Sequence, residues 1–232
     1  MNNSNIFGPR AGSPRSNVVM NLIILTVIVF VAQIALPEGV GGERMIDLFG
    51  LHFWKSTEFH LWQPLTYLFL HGGFDHLFFN MFALWMFGRV LEYDMGSGRF
   101  LAYYLICGMG AGLCNLAVNW VEYNHFLGLG YAETMPAQLQ AWADNIVTIG
   151  ASGAVFGVLL AFGMFHPNDR IMLLIPPIPM KAKWFVVAYG VLELFLGVTQ
   201  KGSNIAHFAH VGGMLFGFIL LRIWKRTGKI YY

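Results

Sequence analysis

Four side chains in this sequence are of types that act together on a carbonyl: Ser152, His210, His76 and Asn80. A serine hydroxyl becomes a useful nucleophile when a base takes its proton. Histidine, whose unperturbed pKa lies near neutrality, is the usual base. The Ser152 backbone N–H, at the start of an apolar helix, can point toward a developing oxyanion, and the helix dipole favours negative charge there. His76 and Asn80 stand four apart on one helical face, and both can donate hydrogen bonds to the same oxyanion. No Asp or Glu lies at matching depth on the segment that carries His210. A Ser–His dyad rather than a triad is therefore expected, with no cofactor and no metal.

These residues can meet only if helices hold them at one level. The chain is 56% hydrophobic and 11% charged, with a mean hydropathy of +0.57. Ordinary soluble domains carry about a quarter charged residues, so the composition is that of a membrane protein. The net charge is only +2. The basic residues sit at the ends of apolar runs, which suits anchoring among membrane lipids and not nucleic-acid binding. About 20 apolar residues span a bilayer. By that rule six segments are marked: 18–36, 76–93, 100–121, 150–165, 184–199 and 206–221. The expected architecture is an all-α bundle of six transmembrane helices with a long first outer loop. A short head (1–17) precedes a membrane domain (18–224), and a basic tail (225–232) follows it. No small-residue cleavage site follows the first apolar run, which therefore reads as a retained helix. Cys107 and Cys114 lie seven apart on one helix, about 10 Å along its axis, and cannot pair with each other.

Lysine and arginine give the orientation. With the N-terminus in the cytoplasm, eleven of the fourteen fall inside: Arg10, Arg15, Arg89, Arg99, Arg170, Lys181, Lys183, Arg222, Lys225, Arg226 and Lys229. Arg44, Lys55 and Lys201 fall outside. The positive-inside rule favours both termini cytoplasmic. The outer region 37–75 contains "EFHLWQPLTYLFLHGG", apolar enough to lie partly in the outer leaflet. A helical rise of 1.5 Å per residue then measures depth. Ser152, fourteen residues before His166, stands about 21 Å above the cytoplasmic face. Asn80, fourteen before Asp94, stands at the same height, and His210, twelve before Arg222, at about 18 Å. His76 is one turn higher than Asn80. The shared layer lies roughly 10 Å below the outer surface of a 30 Å core.

Close packing could bring the pair together. Gly153 and Gly157 follow Ser152 at GxxxG spacing, and Gly213 and Gly217 follow His210 at the same spacing; small faces let two spans pack backbone to backbone. Each residue also has an ordinary explanation. Ser152 could be a helix N-cap, Asn80 interhelical glue, and the glycines plain packing. His207 could form a metal pair with His210, but no carboxylate or cysteine shares that depth. His71 reads as a loop residue near the outer interface. Glu193, inside the fifth segment, could cap a loop, face water or bear on gating. The coincidence of four suitable residues at one level favours chemistry.

The motifs resemble those of the rhomboid intramembrane serine proteases. "GASGAVFG" (150–157) resembles the family's GxSG serine motif, and "AHVGGMLFG" (209–217) its AHxxGxxxG histidine motif. "HLFFN" (76–80) resembles its HxxxN oxyanion motif, and "GRVLEYDMGSGR" (88–99) its turn after the second span. The resemblance runs from about 18 to 224. It implies a six-helix rhomboid fold with Ser152 as nucleophile and His210 as general base. It also implies an oxyanion site of His76, Asn80 and the Ser152 amide, and a structural carboxylate at Glu92. The substrates it implies are single-span membrane proteins, cut near the outer leaflet. The fifth span would be a lateral gate, and 200–205 a flexible cap. A bacterial plasma membrane suits the absence of a seventh span. Two departures stand out. A Trp-Arg pair common in the first outer loop is Trp62-Gln63 here. An aromatic tyrosine that packs on the histidine is Phe156, which keeps the ring and loses the hydroxyl. The alternative is a non-catalytic rhomboid-like protein that binds client helices, although inactive members typically lack the serine or the histidine. A histidine-based ion transporter would need more carboxylates in the spans than Glu193.

Overall fold

The computed structural model describes residues 17–36, 42–172, 179–199 and 204–230. All but the last residue of the head, most of the 200–205 cap, the final two residues and the basic residues Arg10, Arg15 and Lys201 lie outside the described residues.

The chain is mostly helical. In order come α1 (Val18–Ala35), α2 (Gly42–Phe49), β1 (Leu51–His52), α3 (Gln63–Thr66), α4 (Phe74–Ala83), α5 (Arg89–Met95), α6 (Ser97–Gly128), α7 (Tyr131–Thr134), α8 (Pro136–Asn145), β2 (Val147–Thr148), α9 (Ser152–Phe165), β3 (Arg170–Met172), β4 (Pro179–Lys181), α10 (Ala182–Thr199) and α11 (Asn204–Arg226). Among the described residues four helices are long and apolar enough to cross a membrane: α1, α6, α10 and the part of α11 from His207. The expected second span is assembled from α4, a π-helical turn at Leu84–Gly88, and α5. At 14 residues α9 is about 21 Å long, short of a 30 Å core. The chain is thus a multi-pass membrane protein. The expected third span, 100–121, lies inside the longer α6. Hydropathy stops near 121, but no helix breaker appears before Gly130, whose φ is +79°. The helix therefore runs on past its apolar part.

The centre of the bundle is α6, α9 and α11, with α10 packed on α9 and α11. Almost every residue of α9 from Gly153 to Gly163 is buried. The glycines make this possible. A Cβ on Gly157 would stand 2.5 Å from Cys107 Sγ and 3.1 Å from the Gly213 carbonyl oxygen. The backbones of Gly153 and Gly213 touch, while Gly217 faces Tyr103 and Cys107 of α6. The Tyr103 hydroxyl donates to the Gly157 carbonyl at 2.7 Å, and the Tyr67 hydroxyl to the Gly108 carbonyl at 2.6 Å. Cys107 and Cys114 are both free thiols. At one end of the bundle His166 Nε2 and Asp94 Oδ2 are 2.7 Å apart, so two of the three residues used as depth marks share a level. Nearby, the Glu92 carboxylate accepts the Val18 and Val19 N–H groups at 2.8 and 3.0 Å and the Ser97 hydroxyl at 2.6 Å. Glu92 caps α1 from 74 residues away and holds the α5–α6 turn.

At the other end the two long outer regions pair through β1 and β2. Asp144 accepts the Thr57 N–H at 2.8 Å, and Gln140 donates to the Lys55 carbonyl at 3.1 Å. Gln63, one of the two departures, is fully buried. Its Nε2 donates to the Glu58 and Asp47 carbonyls at 2.7 and 3.2 Å, and its Oε1 accepts the His52 N–H at 3.2 Å. Trp62 donates to the Leu48 carbonyl at 2.8 Å and stacks on His60. Leu61, Trp62 and Leu65 are exposed, which fits an interfacial loop. His71 is not a simple loop residue. It is buried, with its backbone tied to the Gln33 amide and its ring 4.9 Å from that of His76.

Two outcomes follow. Gln63→Leu strands three backbone groups inside the loop and should cost at least about 2 kcal/mol, read as a lower thermal midpoint in detergent. Burial, and then the neighbouring His76, push the His71 imidazole down to about 4. The folded protein keeps this ring neutral while the unfolded chain protonates it below about 6.5. Stability should therefore be full above that pH and fall as pH drops toward about 4. His71→Phe should flatten that slope in a pH series of thermal midpoints.

Candidate active site

The start of α9 is built by a tight approach. Gly150 adopts φ +120°, a region that side chains disfavour, and its N–H donates to the Tyr67 carbonyl at 2.9 Å. A Cβ at this position would stand 2.7–2.8 Å from Cε1 and Nε2 of the His76 ring. His76 thus lies against the backbone two residues before Ser152. Ala151, not Ser152, occupies the cap position, and Ser152 opens the helix. Its N–H belongs to the first turn, which has no acceptor within the helix. The ordinary reading of Ser152 as an N-cap does not hold.

The Ser152 Oγ is 2.8 Å from His210 Nε2. Both residues are partly buried, with 17% of the His210 side chain exposed. Phe156, one turn along α9, stacks on the His210 ring at 4.2 Å between centroids and 7° between planes. Tyr189 of α10 also packs against Phe156, at 4.9 Å between centroids. The loss of the tyrosine hydroxyl leaves the stacking face in place.

The other ring nitrogen overturns an expectation. His210 Nδ1 lies 2.9 Å from Glu193 Oε2, and His207 Nδ1 lies 2.6 Å from the same oxygen. Glu193 is buried, with 7% of its side chain exposed. A carboxylate therefore does share the depth of the two histidines, contrary to the sequence expectation. It comes from α10 and not from the helix of His210. An ionised carboxylate only accepts, so each Nδ1 carries the proton and donates it. His210 Nε2 is then a bare acceptor, and the Ser152 hydroxyl donates to it. Ser152, His210 and Glu193 thus form one continuous chain of contacts. Because the Glu193 oxygen and the two ring nitrogens converge, they also form a group of metal-ligand type.

His76 and Asn80 stand on α4 and face α9 less directly. The Asn80 side chain is buried and donates to the His76 carbonyl at 2.9 Å, an i, i+4 contact within its own helix. The amide has a second N–H. The Gly72 N–H donates to His76 Nδ1 at 3.4 Å. Together the structure brings Ser152, His210, Phe156, Gly153, Gly157 and Gly213 into one contact, with His76 beside it and Gly217 on the α6 side. Glu193 was marked in the sequence without a partner. Its pairing depends on the rotation of α10 about its axis, which spacing alone does not give.

Residues 58–226 match the family described as the rhomboid domain. The rhomboid protease AarA of Providencia stuartii is 28% identical over 217 residues, covering 87% of this chain and 70% of that protein. The rhomboid protease GluP of Bacillus subtilis is 31% identical over 157 residues, covering 68% of this chain and 25% of that protein. Rhomboid protein 1, mitochondrial, of Saccharomyces cerevisiae is 30% identical over 151 residues, which are 65% of this chain. The chain spans only 38% of the length of that yeast relative. With a match over most of its length, the chain belongs to the rhomboid family.

Proposed function

We propose that the chain is an intramembrane serine endopeptidase that cleaves single-span membrane proteins near the outer leaflet. On this reading a six-helix domain over 18–224 lies in a bacterial plasma membrane with both termini in the cytoplasm. The observation that carries the reading is the relay of contacts from Ser152 through His210 to Glu193. The 2.8 Å Ser152–His210 contact and the 2.9 Å His210–Glu193 contact put the proton-accepting nitrogen on the nucleophile. Homologues named rhomboid proteases support the same class.

In this mechanism Ser152 Oγ attacks the carbonyl carbon while its proton passes to His210 Nε2. The carbonyl oxygen becomes an oxyanion, held by the Ser152 amide with His76 and Asn80. His210 returns the proton to the leaving amine, leaving an acyl-enzyme. Water, activated by His210, then releases Ser152. Glu193 accepts from Nδ1 throughout; it fixes the tautomer and stabilises the imidazolium. Phe156 holds the ring plane. The alternative of a non-catalytic client-binding protein leaves the Ser152–His210 contact without a purpose.

Reconstituted into liposomes with a single-span substrate, the wild type should cleave and Ser152→Ala should not. Equal activity of the two excludes the reading. A fluorophosphonate probe should label the wild type and lose its label in Ser152→Ala and His210→Ala. Asn80→Ala removes one oxyanion donor and should lower kcat by about 10²–10³. Glu193→Ala should lower kcat by between about 10² and 10⁴ with KM little changed. A normal kcat in that variant would remove Glu193 from the mechanism.

A further inference from the structure

Two imidazoles on one carboxylate oxygen are more than the reaction needs. His210 alone requires an orienting acceptor, yet His207 reaches the same Glu193 Oε2 more closely, at 2.6 Å against 2.9 Å. The donor atoms of Glu193, His207 and His210 all lie within 4.8 Å of one another. The two rings stand edge to face at 88°, so their Nδ1 atoms approach the carboxylate from different directions. Glu193 is buried and both histidines are partly buried, with 18% and 17% of their side chains exposed. Two imidazole nitrogens and one carboxylate oxygen form a ligand set typical of Zn²⁺ and similar borderline ions. A tetrahedral ion with bonds of about 2.0 Å holds its donors roughly 3.3 Å apart. The Nδ1–Oε2 spacings of 2.6 and 2.9 Å must open toward that value and the widest donor pair, within 4.8 Å, must close, so the carboxylate and the rings all shift when the ion enters. Hard ions such as Mg²⁺ prefer an all-oxygen octahedron and do not fit.

We propose that Glu193, His207 and His210 form a site for a divalent transition-metal ion of the Zn²⁺ class, and that the ion switches the protein off. The switch is a change of tautomer. Coordination uses the Nδ1 lone pair, so the single proton of a neutral His210 ring moves to Nε2. Nε2–H then donates to Ser152 Oγ instead of accepting from it. The serine loses its base while the 2.8 Å contact persists. The ion needs no contact with Ser152, because it sits on the Nδ1 side of the ring. The inhibitory half of this proposal rests on the protease reading; the ion-binding half does not.

The binding half is measured on full-length Ser152→Ala protein in detergent, titrated with zinc chloride against a fluorescent zinc chelator. One ion per chain is expected, lost when His207→Gln or Glu193→Gln is added, with no competition from excess Mg²⁺. Stoichiometric binding that survives both substitutions, or no binding, overturns the site. Circular dichroism of each variant separates loss of a ligand from loss of the fold; His207→Asn serves if His207→Gln is not folded. The switch is measured on the active protein as the ratio of cleavage with zinc to cleavage without it, each variant against its own zinc-free rate. The wild-type ratio should fall at least tenfold and recover on adding chelator, and the His207→Gln ratio should stay near one. Unchanged cleavage with the ion bound, or faster cleavage, overturns the switch. Failure of the zinc-free wild type to cleave at all would instead overturn the protease reading, and the titration would still decide the site.

Discussion

The structure depends on one close approach, that of α9 to α11 at Gly153, Gly157 and Gly213. Where two backbones touch, no side chain intervenes to set the spacing, and the helix axes come as near as helices can. That nearness brings a short serine side chain within 2.8 Å of an imidazole on the neighbouring helix. Serine has a reach of little more than one bond, so an extra methyl between the helices is felt directly at the contact. The same economy of space explains why α9 is buried on nearly every side and why α6 presents glycine to its neighbours. The outer loops and the exposed apolar helices are arranged around this three-helix centre.

The second constraint is electrostatic. A carboxylate buried between α10 and α11 is costly unless each lone pair that loses water gains a donor. Glu193 meets that demand with two N–H groups from one helix face, His207 and His210 lying three apart on α11. The bonds cross from α10 to α11, so the orientation of the His210 ring depends on where α10 sits. A helix that carries exposed apolar residues on its far side, as α10 does, is thereby linked to the position of one proton.

Much of this was legible in the sequence, and the rest was hidden for identifiable reasons. Ser152 and His210 could be paired on paper because a rise of 1.5 Å per residue gives depth without coordinates. The contact between His166 and Asp94 shows that the marks used for Ser152 and Asn80 are level. Rotation about a helix axis has no such ruler. The turn of α10 that aims Glu193 at the histidines is fixed by packing across three helices, and so Glu193 had no partner in the sequence. Helix length at α6 was not legible because hydropathy measures the lipid, whereas the helix runs on to the turn at Gly130. Gln63 stood out as a departure at a family position, but its three bonds to the Asp47, Glu58 and His52 backbone could be read only from the folded loop. The π turn at 84–88 left no mark in the apolar pattern.

Glu92 carries a consequence for how the chain is made. The Val18 and Val19 N–H groups at the beginning of α1 are satisfied by a carboxylate that emerges from the ribosome 74 residues later. Until then water or lipid headgroups must serve, and the first helix can enter the bilayer but has no fixed azimuth or tilt. Its final seat is set only when the turn between α5 and α6 has been synthesised and Ser97 has closed on the same carboxylate. The N-terminal helix is thus first to be translated but waits for the second apolar segment before it can be locked, a clasp fastened from downstream.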